Sequence, residues 1–356
     1  MERISVSLGK DSYDIEIEPG SFAHFGWRIR QLSQADKAAI ITDSHVDPLY
    51  GAQLEQELTE QGFAVRRLVM PAGEDHKNLE TYGQLLRGCA AFGLDRKDLV
   101  ITLGGGVPGD LGGFVAASFL RGIPFIQIPT TLLSQIDSSV GGKVAVDLPE
   151  GKNLAGAFYQ PKAVLIDPEL LGTLPVRFLH DGLAEVIKCA AIGDANLFAQ
   201  LETWQGDAEI LSHVTEIISA CIRLKIQVVE QDERDEGARM VLNFGHTMGH
   251  AVERKYHYEK YTHGEGVALG MVRITQNSER LGLTEPGTAR RLETLLQKVP
   301  LATRDSISLE DILTGVTMDK KKRGNTLTLV LVPKIGTSLL KKVELGQLAN
   351  YFRGEA

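Results

Sequence analysis

The chain has 356 residues, 43% hydrophobic and 24% charged, with a formal net charge of -8 at pH 7. That length accommodates two domains, and the composition is that of a soluble globular protein. The acidic balance disfavours nucleic acid and anionic membrane as partners, while leaving room for a small anion held by a local lysine cluster. Cys89, Cys189 and Cys221 are far apart with no C-x-x-C pair, so neither a disulfide framework nor a cysteine zinc site is indicated and buried, reduced thiols are expected.

The opening stretch MERISVSLGKDSYDIEIEPG is strand-like and acidic, and no apolar run approaches the length of a bilayer span. A cytoplasmic protein is the expectation. From Lys37 to Asp167 short apolar runs alternate with helical patterns. KAAIITD, FAVRRLVMP, DLVITLGGG, IPFIQIPTT and KAVLIDP are the strands this predicts, in a Rossmann-like parallel α/β sheet. The runs end at Asp43, at Gly104, Gly105 and Gly106, and at Thr130 with Thr131. Ligands of open α/β sheets collect at such carboxyl ends, so a nucleotide site is expected there.

LGGGVPGDLGGF holds G-x-G-x-x-G at Gly104, Gly106 and Gly109, after a strand and before a helix pattern. Bare backbone there can approach a pyrophosphate, whose charge a helix N-terminus favours. The acidic residue usual about 20 positions later is absent from IPFIQIPTTLL, and Asp43, or Glu74 in PAGEDHKN, could serve a ribose instead. A plain tight turn remains the other reading of the loop.

Beyond Pro175 the period becomes helical, in FLHDGLAEVIKCAAI, DAEILSHVTEIISACIRLKIQVVEQ, HTMGHAVERKY and GEGVALGMVRITQNSERLG. The tail LTLVLVPKIGTSLLKKVEL is strand-like and predicts a hairpin. The expected division is residues 1–170, an α/β nucleotide-binding domain, and 171–356, a mostly α-helical domain, with chemistry in the crevice between them.

In LNFGHTMGH, His246 and His250 are four apart and share a helical face. The general base of a metalloprotease H-E-x-x-H is missing, because Thr247 follows the first histidine. His263 opens HGEG, and Glu185 lies in GLAEVIK on the first long helix of this half. Two histidines and a carboxylate form a recurring zinc set with one position open, although histidines at such spacings also occur as ordinary core residues. Lys143, Lys152, Lys188, Lys225 and Lys320 to Lys322 are the other unusual feature. Cationic donors beside a metal suit a substrate carrying phosphate and carboxylate.

Taken together, PAGEDHKN, GGGVPGDLGGFVAASFLRGI, PTTLLSQIDSSVGGKVAVDLPEGKNLAGAFYQP, TLP, GLAEVIK, LNFGHTMGHAVE, HGEGVALGM and DKK resemble the 3-dehydroquinate synthases of the sugar-phosphate cyclase family, in the family's order, from about Asp43 to the DKK near residue 320. The resemblance implies a dehydroquinate synthase-like fold with an NAD-binding N-terminal domain, a metal-binding helical domain and a homodimer. Glu185, His246 and His263 would be the ligands of Zn2+, with Co2+ or another divalent metal as substitutes, and His250 would face the substrate phosphate. Asp43, Glu74 and Lys77 would hold the adenosine end of NAD. Gly105, Gly106 and Asp110 would lie at its pyrophosphate, joined by Thr130, Thr131, Lys143, Lys152 and Thr173. Asp137, Lys143, Lys152, Asn153, Lys188, Lys225, Arg239, Asn243, His250 and one lysine of DKKK would line the substrate pocket, with Arg121 reaching the phosphate from a neighbouring subunit.

The implied reaction takes 3-deoxy-D-arabino-heptulosonate 7-phosphate, a phosphorylated sugar acid, to 3-dehydroquinate and phosphate. It runs by transient oxidation at C5 by NAD, β-elimination, re-reduction, ring opening and intramolecular aldol closure. Two positions depart from the family pattern: Pro108, which removes an N–H from the glycine loop, and Met248 in place of an aromatic. Other sugar-phosphate cyclases, metal-dependent polyol dehydrogenases and a non-catalytic relative are the rival readings. A guanidinium such as Arg239 suits a substrate carboxylate.

Overall fold

The apolar runs of the first half are continuous rather than alternating because both faces of their sheet are covered. The computed structural model describes residues 1–235, 237–256, 260–317 and 325–353. Two units divide the chain, Met1–Leu174 and Pro175–Ala356.

The strands of the first unit are β1 (Glu2–Val6), β2 (Tyr13–Ile17), β3 (Lys37–Asp43), β4 (Ala64–Met70), β5 (Leu99–Gly104), β6 (Phe125–Pro129), β7 (Lys143–Leu148), β8 (Gly151–Phe158) and β9 (Ala163–Ile166). Its helices are α1 (Phe25–Leu32), α2 (Ala52–Glu60), α3 (Leu79–Phe92) and α4 (Gly106–Ser118). Seven strands form one sheet in the order β1-β2-β9-β6-β5-β3-β4. β1 is antiparallel to β2, and every other pairing is parallel. Ala38, Ile40, Leu99 and Ile101 meet Ile29 of α1 and Leu54 and Leu58 of α2 on one face. Their neighbours Ala39, Ile41 and Val100 meet Leu85 of α3 and Leu111 and Val115 of α4 on the other. Each buried isoleucine, leucine or valine among them stabilises the unit by about 1.5–3 kcal/mol relative to exposure. β4 is the sheet's edge, which explains the arginines in its sequence: Arg67 pairs with Asp47 and Glu55 at 2.8 Å each.

The antiparallel hairpin β7–β8 lies outside the five runs read as strands. Its second strand, GKNLAGAF, is glycine-rich and only partly buried along its length, so the usual β signal is weak there.

The second unit contains α5 (Val176–Gly193), α6 (Ala195–Thr203), α7 (Gly206–Ser212), α8 (Val214–Gln231), α9 (His246–Lys255), α10 (His263–Arg280), α11 (Thr288–Lys298), α12 (Leu309–Thr317) and α13 (Leu348–Arg353). The tail forms the antiparallel hairpin β10 (Thr326–Leu331) with β11 (Leu339–Glu344). The helical stretch 207–231 is interrupted at His213, whose ψ of 9° leaves the helical range. Its ring stacks on Trp204 with centroids 4.7 Å apart. The three cysteines are buried and unbridged.

Candidate functional site

In the first unit, Asp43, Gly105, Gly106, Thr130 and Thr131 stand at or just beyond the carboxyl ends of β3, β5 and β6. Gly104 ends β5 with φ +155°, and a Cβ there would lie 2.7 Å from Pro108 Cγ. Gly105 is the N-cap of α4, and Pro108 is its third residue. An N–H at that position has no intrahelical partner, so the proline breaks no helix hydrogen bond. Gly106 and Val107 remain as first-turn donors for an anion. Gly112 serves another purpose: a Cβ there would come within 2.6 Å of Thr102 Cγ2, so its absence lets α4 lie directly on β5. The glycine run thus divides between turn geometry and packing on one side and a partly buried helix start on the other.

Several of the residues expected around NAD and phosphate form a network centred on Lys77, while others make separate local contacts on the same unit. Asn78 caps α3 by accepting from Thr81 N at 3.0 Å, which fixes the segment before it. There Lys77, 3% exposed, donates from Nζ to Asp110 Oδ2 and Asn153 Oδ1, both at 2.6 Å. Burial works against the Lys77 charge, but Asp110 and Glu74 outweigh it and hold its pKa above the ordinary lysine value. Lys152 pairs with Glu74 at 3.2 Å. Asn153 sits at φ +54° with its N–H on Asp147 Oδ1 at 2.7 Å. Asp43 Oδ1 accepts from the N–H groups of His45 and Val46 at 2.8 and 3.0 Å. The Thr173 hydroxyl is 2.5 Å from that of Tyr50. Thr131 closes a turn with Ser134, Asp137 follows in the turn Ser134–Ser138, and Lys143 starts β7 with its side chain exposed. Arg121 does not join this group. It follows α4, at the end opposite the glycine loop and about 20 Å from it at 1.5 Å per residue. Leu120 and Arg121 are both left-handed there, at φ 51° and 70°.

In the second unit, α5, α9 and α10 bring Glu185, His246 and His263 together, with one ligand atom from each within 4.8 Å of the others. Glu185 Oε1 is 3.6 Å from His246 Nε2 and 3.5 Å from His263 Nε2. Bonds of 2.0–2.1 Å in a tetrahedral site place ligand atoms about 3.3 Å apart, so the spacing fits a small divalent ion. The opposite ring nitrogens are tied back, His246 Nδ1 to Phe244 O and His263 Nδ1 to Glu253 Oε1, each at 3.1 Å. These bonds occupy each Nδ1 and leave both Nε2 atoms facing Glu185, the positions from which deprotonated imidazoles would ligate an ion. Glu185 is fully buried, neither of its oxygens accepts a hydrogen bond, and Lys188 on the same helix ion-pairs Oε2. A buried carboxylate in that condition is an unsatisfied ligand.

Burial opposes the Glu185 charge, yet Lys188, His246 and His263 hold its carboxyl well below the usual range. Burial, reinforced by Lys188, keeps His246 well below the ordinary histidine value. Burial also opposes charge on His263, but the carboxylates of Glu185 and Glu253 on either side of the ring prevail and raise it well above that value. His250, one turn after His246, has its ring centroid 5.5 Å from His246 and 6.3 Å from His263. Lys188, Lys225 and Arg239 are buried in this unit, and Asn243 is partly buried. Arg239 donates to Glu233 O at 2.7 Å. Lys320 to Lys322 lie outside the described residues.

Three carboxylates here escaped the sequence reading. Asp181 accepts from Gly264 N at 2.5 Å, anchoring the start of α10, where Thr262 and Glu265 form a capping box. Asp305 receives Tyr256 and Lys260 at 2.9 and 3.1 Å, together with Tyr261. No periodic signal marks either. Glu253 was legible in principle, since His246, His250 and Glu253 follow at +4 and +3 along one helical face.

Residues 67–181 match the 3-dehydroquinate synthase N-terminal family and residues 182–322 the 3-dehydroquinate synthase C-terminal family. A 3-dehydroquinate synthase of Clostridium acetobutylicum is 51% identical over 354 residues, covering 99% of each chain. A 2-epi-5-epi-valiolone synthase from Streptomyces hygroscopicus, solved with NAD+ and Zn2+ bound, is 26% identical with a TM-score of 0.87 over 99% of this chain and 98% of that one. A 2-deoxy-scyllo-inosose synthase complexed with carbaglucose-6-phosphate, NAD+ and Co2+ is 24% identical with a TM-score of 0.88 over the whole of both chains. At that identity the likeness shows the shared fold.

Proposed function

The chain belongs to the 3-dehydroquinate synthase family, and from that premise we propose how its residues divide the work of converting 3-deoxy-D-arabino-heptulosonate 7-phosphate into 3-dehydroquinate and phosphate. The activity is that of an NAD- and divalent-metal-dependent phosphorus-oxygen lyase of the shikimate pathway. The observation that carries the assignment of roles is the trio Glu185, His246 and His263, with both histidines tied back through Nδ1. These three residues would hold the metal, Zn2+ in this proposal. When bound, the metal supplies Lewis-acid polarisation of a substrate oxygen, and NAD supplies a hydride acceptor that is regenerated within the cycle.

The remaining work falls to the chain's own side chains. Asp43, Glu74 and Lys77 are assigned to the adenosine end of NAD, Gly105, Gly106 and Asp110 to its pyrophosphate, and Thr130, Thr131, Lys143, Lys152 and Thr173 to further cofactor contacts. The network that fixes Lys77 on Asp110 and Asn153 supports this, because it holds the segment rigid before any ligand arrives. Lys188 offsets the Glu185 charge and, with Asp137, Lys143, Lys225, Arg239, Asn243 and one of Lys320 to Lys322, orients the substrate. Arg239 is assigned to its carboxylate. Lys152, Asn153 and His250 are assigned to the phosphate, and fixed donors of this kind restrain a flexible open-chain intermediate.

Arg121 completes the phosphate site from a second copy in a homodimer. Its position about 20 Å from the glycine loop of its own unit supports that assignment. A cytoplasmic location and the lack of a nucleic-acid or membrane partner belong to the same proposal. The net charge of -8 and the finding that no helix among the described residues is long and apolar enough to cross a membrane support them.

The test is to incubate the protein with NAD, Zn2+ and 3-deoxy-D-arabino-heptulosonate 7-phosphate while following phosphate, 3-dehydroquinate and NADH together. One phosphate per dehydroquinate, no NADH accumulation and loss of activity on chelation are expected. Accumulating NADH would point instead to a polyol dehydrogenase.

A further inference from the structure

We propose that Glu253 is a positioning residue for the metal centre: by accepting the Nδ1 proton of His263 it fixes the tautomer and ring plane that present Nε2 to the ion. The inference rests on the metal reading of Glu185, His246 and His263. Glu253 is 3% exposed, and its Oε1 lies 3.1 Å from His263 Nδ1, while the Nε2 of the same ring lies 3.5 Å from Glu185 Oε1. One imidazole therefore bridges the two carboxylates through its two nitrogens.

The arrangement is built into the helix crossing. A Cβ on Gly249 would come within 2.9 Å of Gly266 O, and one on Gly266 within 3.1 Å of Glu253 Cγ. α9 and α10 therefore touch through glycine backbone, and the Glu253 stem fills the space one turn further along α9. His246 lacks such a carboxylate, since its Nδ1 faces the neutral carbonyl of Phe244. A carboxylate behind an imidazole strengthens it as a donor more than a carbonyl does, so the two histidines are unequal ligands and Glu253 sets the difference.

His250, Glu253 and His263 also gather three ligand atoms within 4.8 Å. If Glu253 bound an ion directly, its oxygen could not hold the His263 proton, so metal stoichiometry separates the two roles.

The experiment uses the full chain freed of metal, with Zn2+ affinity measured by competition against a chromophoric chelator and Co2+ ligand-field spectra recorded alongside. Glu253→Gln keeps the shape and an acceptor but removes the charge. It is expected to weaken Zn2+ binding by about 10–100-fold, to keep one ion per chain and to shift the Co2+ spectrum, with Glu253→Asp intermediate. Unchanged Zn2+ affinity in Glu253→Gln overturns the proposal, including the case where the metal-free melting temperature falls, because the role is then only structural. Two ions in the parent and one in Glu253→Gln also overturn it, by making Glu253 a ligand. His246→Ala is the control: if it binds Zn2+ as tightly as the parent, the metal reading itself fails.

Discussion

The ion pair between Glu185 and Lys188 offers a test of the centre that is independent of catalysis. Both side chains are essentially excluded from solvent, at 0% and 1% exposure. Removing one member of such a pair leaves a buried charge uncompensated and costs about 3–5 kcal/mol, whereas replacing both by apolar side chains is often close to neutral. Glu185→Leu withdraws the carboxylate from Lys188 and is expected to cost that full amount. Lys188→Met should cost less, about 1–3 kcal/mol, because His263 Nε2 still faces Glu185 Oε1 at 3.5 Å in the metal-free protein. The double variant should recover most of the loss, giving a coupling energy of roughly 2 kcal/mol or more. For a unit of this size, each kcal/mol moves the melting temperature by about 2–4 °C, so Glu185→Leu should fall by roughly 6–20 °C. Calorimetry of the four proteins at pH 7 with chelator present reads the cycle. Single losses that simply add to within about 0.5 kcal/mol would refute the claim that these two charges stabilise one another.

Three further expectations follow from particular positions. His263 carries a proton before metal binds, since its pKa is raised by Glu185 and Glu253 against the effect of burial. Zn2+ affinity should therefore rise with pH up to that elevated value, with a proton released on binding. Calorimetric titration in buffers of different ionisation enthalpy measures the release, and pH-independent affinity would contradict it. For the metal-free protein the sign is opposite: the His263 contribution to stability is complete below about pH 6.5 and fades as pH climbs through the raised value. Gly112→Val places a Cβ 2.6 Å from Thr102 Cγ2 and 3.2 Å from Ile41 Cγ2, so a loss of about 1–3 kcal/mol is expected. An undisturbed melting temperature would show that α4 can retreat from the sheet. Pro108→Ala should cost only about 0.4–1 kcal/mol, through the entropy of the unfolded chain, with NAD affinity unchanged in a fluorescence titration. A tenfold gain in affinity would mean that the missing N–H matters to the phosphate.

The sequence by itself determined the five parallel strand runs between Lys37 and Asp167, the helical periodicity beyond Pro175, and the residue types available for chemistry. Apolar period and helix spacing are local properties, so they survive in a one-dimensional reading. KAAIITD announces a strand buried on both faces, and His246 with His250 announces a shared helical face. The hairpin β7–β8 was not legible in that way because its glycines and half-exposed residues carry little periodic signal.

Tertiary structure alone decided which candidates meet. Nothing local links Glu185 to His263, and the approach of α10 to α5 and α9 at Gly264, Gly266 and Gly249 brings them together. It also decided which nitrogen of each histidine faces Glu185, because Phe244 O and Glu253 take the other one. Lys77 shows the same division. Its charge is read from the chain, but its partners Asp110 and Asn153 come from a helix start and a hairpin far along the sequence. The physical reason is that burial, and the hydrogen bonds it demands, belong to surfaces that exist only once the elements have docked.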